Sequence, residues 1–419
     1  MTTTGVVTYD EVAGASCVDH LDWRTTDRHH HLPHPTAFWL VAGAFVILLF
    51  GVTLPTPLYV VYQSEWGFSA GLLTAVFAIY AGGVLTALLL FGRASDQVGR
   101  RAALLGAVTI AGASTVVFLL ASGVTWLFFA RLLSGLAAGL TQGTAAAALA
   151  ELEPRHDQRR AALVSSTVST GAAGIGPLLA GFLVQYAGWR THLVFLIYLV
   201  CLLLAAVALV RIPEPVPERH RLAVRLQRPV VPADARAPFL AAVSAAISIA
   251  ALLGLFVSLV PSFLGQAMHE RNHAVAGFVV FLLFAVATAS QVALHRLSPR
   301  RALFSGFVSL VVGLALFLIG LDVPSLGAFT AGTIFAGIGA GLGLMGALAT
   351  ANRTAPPEHR GEVMSGFFLA VYGGMSLPAL AVGITAQHYG FFKPTLVCSV
   401  VLTALVVFAA SRVRAVRDL

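Results

Sequence analysis

Charge is what this chain of 419 residues has least of. Only 11% of its residues are Asp, Glu, Lys or Arg, against about a quarter in an ordinary soluble domain. With 58% hydrophobic residues, that scarcity excludes a soluble globular protein and implies a polytopic membrane protein in contact with the lipid bilayer. Cysteine is nearly absent. Cys17, Cys201 and Cys398 stand far apart, which excludes a disulfide framework and a metal-ligand spacing. Acids are missing where they would matter most, since all 18 Asp and Glu fall in tails, loops or the ends of apolar runs. No carboxylate whose burial would let it exchange a proton is therefore present at mid-membrane. No intramembrane His-and-acid constellation and no soluble catalytic domain is found either, so the chain reads as no enzyme, with no cofactor and no metal.

What is present is a series of apolar runs long enough to cross a hydrocarbon layer about 30 Å thick, which takes roughly 20 residues per helix. Six lie near 37–62, 69–91, 102–121, 124–150, 160–187 and 191–210, and six more near 237–265, 272–294, 302–321, 325–352, 362–387 and 391–411. The sequence thus divides into a tail (1–36), a first set of six helices (37–210), a linker (211–236) with six arginines and five prolines, a second set (237–411) and a short tail (412–419). The first tail lacks the basic start and short apolar core of a cleaved signal. Its histidines, His29, His30, His31 and His34, read as a solvated cluster rather than a metal site. Of the 26 Lys and Arg, 22 fall in segments on one side. The positive-inside rule then places both termini in the cytoplasm, in a multi-pass protein of the cell membrane. The charge of +8 belongs to these loops and implies no nucleic-acid partner.

Between the second and third runs stands Gly92-Arg93-Ala94-Ser95-Asp96-Gln97-Val98-Gly99-Arg100-Arg101. Gly92 and Gly99 permit a backbone that bulkier residues would obstruct, and the arginines hold the loop on the cytoplasmic side. Asp96 suits an arginine or the positive N-terminal end of a helix. This loop resembles the signature between helices two and three of the major facilitator superfamily, where it latches the two halves of a transporter. The resemblance implies that Asp96 faces the start of helix 11 near Gly361, and that Arg100 faces an acid at the end of helix 4, Glu151 or Glu153. The family usually has a basic residue where Gln97 stands.

A duplication supports the same architecture. Gly135-x-x-x-Gly139-Leu140 with Pro154 recurs as Gly337-x-x-x-Gly341-Leu342 with Pro356, displaced by 202 positions. Pro177, Gly181 and Gln185 recur as Pro378, Gly383 and Gln387, and Arg100-Arg101 as Arg300-Arg301. The fold expected is an all-α membrane protein of twelve transmembrane helices in two pseudo-symmetric six-helix bundles. Parallel repeats of this kind place the solute site between the halves, near mid-bilayer.

Arg131-Leu132-Leu133-Ser134-Gly135-Leu136-Ala137-Ala138-Gly139 resembles the second superfamily motif. Glycines at i and i+4 let helices pack closely. An arginine at that depth is either functional or structural, snorkelling or bonded to backbone carbonyls; its repeat counterpart is Thr333. Helix 5 carries Gly171-Ala172-Ala173-Gly174-Ile175-Gly176-Pro177-Leu178-Leu179-Ala180-Gly181, similar to the antiporter motif of drug exporters, with Ala172 and Ala180 where glycine is usual. Gly176, Pro177 and Gly181 equally suit plain packing. A central cavity is expected to offer Thr53, Tyr59, Tyr80, Thr141, Gln142, Ser258, Gln291, Phe367 and Tyr372 against an aliphatic and aromatic wall. Coupling to protons would run through Arg131, Glu65 or Asp96. The expectation is a monomeric secondary transporter exporting a lipophilic small molecule, neutral or anionic, with an importer of a small organic solute as the alternative.

Overall fold

The computed structural model describes residues 33–415 apart from 93, 190, 215–235, 267–271, 324, 355–359 and 391; within helices, the side chains at 70, 258, 259, 261–263, 265, 266, 360–362 and 365 are also outside the description. His29, His30 and His31, most of the linker and the side chain of Ser258 thus lie outside the described residues. Among those described, all regular structure is helical. The elements are α1 (His34–Thr53), α2 (Leu58–Trp66), α3 (Ala70–Phe91), α4 (Ala94–Val98), α5 (Arg100–Leu119), α6 (Val124–Leu152), α7 (Gln158–Tyr186) and α8 (His192–Val210), then α9 (Arg236–Gln266), α10 (His273–Ala293), α11 (Pro299–Asp322), α12 (Leu326–Thr354), α13 (Arg360–Tyr389) and α14 (Phe392–Ala415).

Among the described residues twelve spans are long and apolar enough to cross a membrane, with α1 and α2 together forming the first. The short α4 lies inside the signature loop. Leu32–Leu419 forms one compact unit with two apolar cores. One is built from residues between Ala37 and Ile212, the other from residues between Phe239 and Val413 with Phe77 reaching across from the first half.

Packing repeats as the sequence does. Within the first half α3 and α5 lie on α6, α1 on α7 and α8, and α5 on α8; within the second α10 and α11 lie on α12, α9 on α13 and α14, and α11 on α14. The duplicated glycines make the close approaches. A Cβ on Gly139 would stand 2.7 Å from the Ala87 Cβ and 2.8 Å from the Val84 carbonyl of α3, and one on Gly337 would stand 2.7 Å from the Leu283 carbonyl of α10. Small residues replace side-chain bulk with backbone contact, which is how helices associate where no hydrophobic effect drives them together.

The halves meet along two seams, α7 on α10 and α13 on α3, and these too are related by the repeat. Gln185 Oε1 accepts a hydrogen bond from the His273 amide at 3.0 Å, and Gln387 lies against Gly71. Both members of the second pair are offset by 202 positions from those of the first, in opposite senses.

Candidate functional site: a broken first span, a central cavity and a loop network

The first span is not one helix. Pro55 and Pro57 have no N–H to give the carbonyls of Gly51 and Thr53, and the chain turns through Leu54–Pro57 before α2 begins. Leu54 bonds back to Phe50, Thr56 to Thr53 and Leu58 to Pro55. Thr56 bonds at three residues' spacing rather than four, so it does not serve the Val52 carbonyl. Arg131 of α6 does: its Nη1 donates to Val52 O at 2.5 Å, while Nε donates to the Tyr59 hydroxyl. The guanidinium carbon sits 5.1 Å from the Tyr59 ring centre and 5.7 Å from that of Tyr80. The Thr56 hydroxyl is buried without a partner.

Arg131 is only 1% exposed. Removing an ion from water costs several kcal/mol even after relaxation, and two hydrogen bonds and two ring faces offset part of that. Among the described residues no carboxylate lies within salt-bridge distance of it, and its Nη2 has no hydrogen-bond partner. Arg131 thus closes the helix break through Val52 and keeps one donor, Nη2, without a partner.

Arg131 also lines a cavity of about 150 Å³ between the halves, with Thr53, Tyr80, Gln142, Ser169 and Ala173 of the first half and Leu253, Val257, Phe284, Tyr372 and Met375 of the second. Tyr80 and Tyr372 meet edge to face across the seam, ring centres 6.3 Å apart. Thr53 donates to the Ala173 carbonyl at 2.7 Å, joining α1 to α7 just where Gly176 packs against the Phe50 carbonyl. Gln142 donates to Ser169 at 2.9 Å.

Four expected cavity residues stand elsewhere: Tyr59 is buried behind the lining, with its hydroxyl on Arg131, and the other three lie farther off. Phe367 is fully buried in the second core against Phe368, because its side of α13 faces helix rather than cavity. Thr141 turns back on its own helix, bonding the Ala137 carbonyl at 2.7 Å. Gln291 lies at the seam, accepting from Ser166 at 3.1 Å and donating to Thr170 at 3.2 Å. It joins the halves on the side of the cavity near the chain ends. On the far side Gly181, Pro177 and Gly277 pack backbone to backbone. The cavity is thus bounded by contacts between the halves on both sides. Glu65 is exposed at the end of α2.

The loop network forms around Arg100. Its Nε and Nη2 reach Glu151 at 2.8–3.2 Å, and Nη1 pairs with Asp96 and donates to Ser95 at 2.6 Å. Of the two acids expected opposite Arg100, Glu151 takes the role. Glu153 pairs instead with Arg160 at 3.0 Å and accepts the Arg155 and Asp157 amides at 2.7 Å. Burial pushes the Glu153 carboxyl up, but those amides and Arg160 outweigh it and hold it below the ordinary carboxylate range. Asp96, expected against the start of helix 11, is held by Arg100; residues 355–359 and the side chains at 360–362 lie outside the described residues. Gly99 has φ 100° and ψ 152°, a region essentially reserved for glycine.

Residues 41–379 match the family described as the Major Facilitator Superfamily. The chain belongs to that superfamily. It is 30% identical over 189 residues to Multidrug resistance protein 2 of Bacillus subtilis, covering 44% of this chain and 46% of that protein. It is 32% identical over 155 residues to the 4-hydroxybenzoate transporter PcaK of Pseudomonas putida, covering 36% and 34%. These matches span about a quarter to a half of the curated relatives' own length. The fold is shared with the human organic anion transporter MFSD10 (TETRAN), with a TM-score of 0.67 over 91% of this chain and 100% of that one, at 16% identity.

Sequence reasoning passed over two features that the superfamily member displays. The break at Pro55 and Pro57 was visible as a Pro-x-Pro inside an apolar run. Glu214, set between Pro213 and Pro215 just after α8, accepts the backbone amides of Arg100 at 2.7 Å and Arg101 at 3.1 Å. It caps α5 from the linker, and no spacing rule connects it to a loop more than a hundred residues earlier.

Proposed function

We propose that this protein is a secondary active transporter that exports a lipophilic small molecule, such as a drug, antibiotic or secondary metabolite, by alternating access coupled to protons. The observation that carries the reading is the central cavity. Its wall is aliphatic and aromatic, its hydrogen-bonding groups are few, and among the described residues it contains no acid, a composition suited to an apolar ligand oriented by one or two polar contacts. The two seams on either side of it are where rocking halves would open and close. The Arg100, Glu151 and Asp96 network, with Glu214 capping α5, organises the loop within the first half, and the latch to the second half runs from Asp96 to the start of α13. Coupling to protons is assigned, indirectly, to Arg131, Glu65 or Asp96. The protein works as a monomer in the cell membrane with both termini inside.

Resemblance to Multidrug resistance protein 2 supports export, and resemblance to a 4-hydroxybenzoate transporter favours the second reading, uptake of a small organic solute. Inverted vesicles separate them. With the interior acidified, a panel of lipophilic compounds should accumulate inside and stop accumulating when the gradient is collapsed. Accumulation only in right-side-out vesicles would establish uptake instead.

A further inference from the structure

Resting on the transport reading above, we infer that the central cavity takes a substrate bearing a carboxylate on a single flat apolar ring, with the carboxylate docking on Arg131. Four observations converge. The guanidinium is 1% exposed and lines the cavity. Its Nη2 has no acceptor, although an unpaired buried charged donor is among the costliest groups a protein can keep. Among the described residues no acid pairs with it, so a carboxylate entering the cavity would meet a guanidinium with no acid already on it. Four aromatic side chains, Phe77, Tyr80, Phe284 and Tyr372, line the same cavity, giving ring faces and edges on which a planar aromatic group stacks.

Size narrows the class. With the halves in contact the space is about 150 Å³, below the 300–1,000 Å³ typical of sites for drug-sized ligands, so one substituted ring fits before the halves separate further. The ligand also has a route to the charge. Tyr80 covers the guanidinium and touches Tyr372 of the other half, so separating the halves removes the contact that holds Tyr80 in place. A carboxylate that takes Nη2 and Nη1 together forms the two parallel bonds favoured by guanidinium. Nη1 carries two N–H groups, so it can meet the carboxylate while still donating to the Val52 carbonyl, and the bound ligand sits directly beside the break in the first span.

The test uses the purified full chain in nanodiscs, with radiolabelled benzoate and its neutral isostere benzamide. Benzoate should bind at least tenfold more tightly than benzamide to the wild type, a comparison that needs no variant. Arg131→Gln should abolish the preference for the acid, and Arg131→Lys, which keeps the charge but not the planar fork, should retain only part of it. Equal binding of acid and amide by the wild type, or benzoate binding undiminished in Arg131→Gln, overturns the inference. Vesicle efflux of neutral lipophilic compounds by the wild type is measured in parallel. Neutral efflux without acid binding overturns the inference and leaves the transport reading standing, whereas acid binding without transport of any probe does the reverse.

Discussion

At the scale of single residues, the loop after α3 shows how one backbone angle fixes a network. Gly99 adopts φ 100° and ψ 152°, and a Cβ there would stand 2.5 Å from the Glu214 carboxylate. Two penalties coincide, since a side chain would have to occupy a glycine-only region and push away the carboxylate that caps α5. Gly99→Ala should cost about 1–3 kcal/mol from the backbone alone, read as a lower midpoint of thermal unfolding in detergent. Added Glu214→Ala should cost little more, because the first change already displaces the cap. Full additivity of the two would show that the glycine and the carboxylate are independent. The need for a glycine at 99 was legible in the sequence, but its partner was not. Arg100 offers the same lesson from the other direction: two acids two residues apart were equivalent on paper, and the helix phase of α6 gave Glu151 to Arg100 and left Glu153 to the loop beyond.

The element that departs most from a plain hydropathy reading is the first span. A run near 37–62 reads as one helix, yet Pro55 and Pro57 divide it into α1 and α2 and release carbonyls at membrane depth. Inside a bilayer such groups must be satisfied by protein, and Arg131 supplies the donor to Val52. A proline in a helix interior costs about 3 kcal/mol or more, so a pair of them in a spanning helix is a specific structural device. Replacing both, Pro55→Ala with Pro57→Ala, should restore the helical hydrogen bonds and raise thermal stability. Transport should fall by at least an order of magnitude, because Val52 no longer needs Arg131 and the two helices lose their joint. Vesicle uptake and the unfolding midpoint check both parts, and unchanged transport would show that the break is passive.

At the scale of the whole molecule, the pseudo-two-fold relation decides where the halves touch. On the far side of the cavity Gly181 and Gly277 bring α7 to α10 at backbone distance, and on the other seam Gly383 of α13 receives the Thr74 side chain of α3. Near the chain ends Gln291 bridges to Ser166 and Thr170. A side chain at Gly277 would collide with the Pro177 carbonyl, so Gly277→Leu should wedge the far side of the first seam open. The spin-label distance between the far ends of α7 and α10 should lengthen, and transport should drop to background. A variant that transports normally with an unchanged distance would show that this seam does not close during the cycle.

The sequence by itself determined the membrane class, the number of spans, the duplication and the loop around Asp96 and Arg100, because each of these is a local or periodic property of composition, length and spacing. It also singled out Arg131, since a charge in an apolar run is conspicuous wherever the helix goes. Only the tertiary structure decided what that charge touches. Which face of α13 turns inward put Tyr372 in the cavity and Phe367 in the core, although both lie on one helix within five residues of each other. Helix phase, the line of the break in α1 and the meeting of the linker with α5 are set by contacts between segments far apart in the chain, and those contacts have no period for a sequence to display.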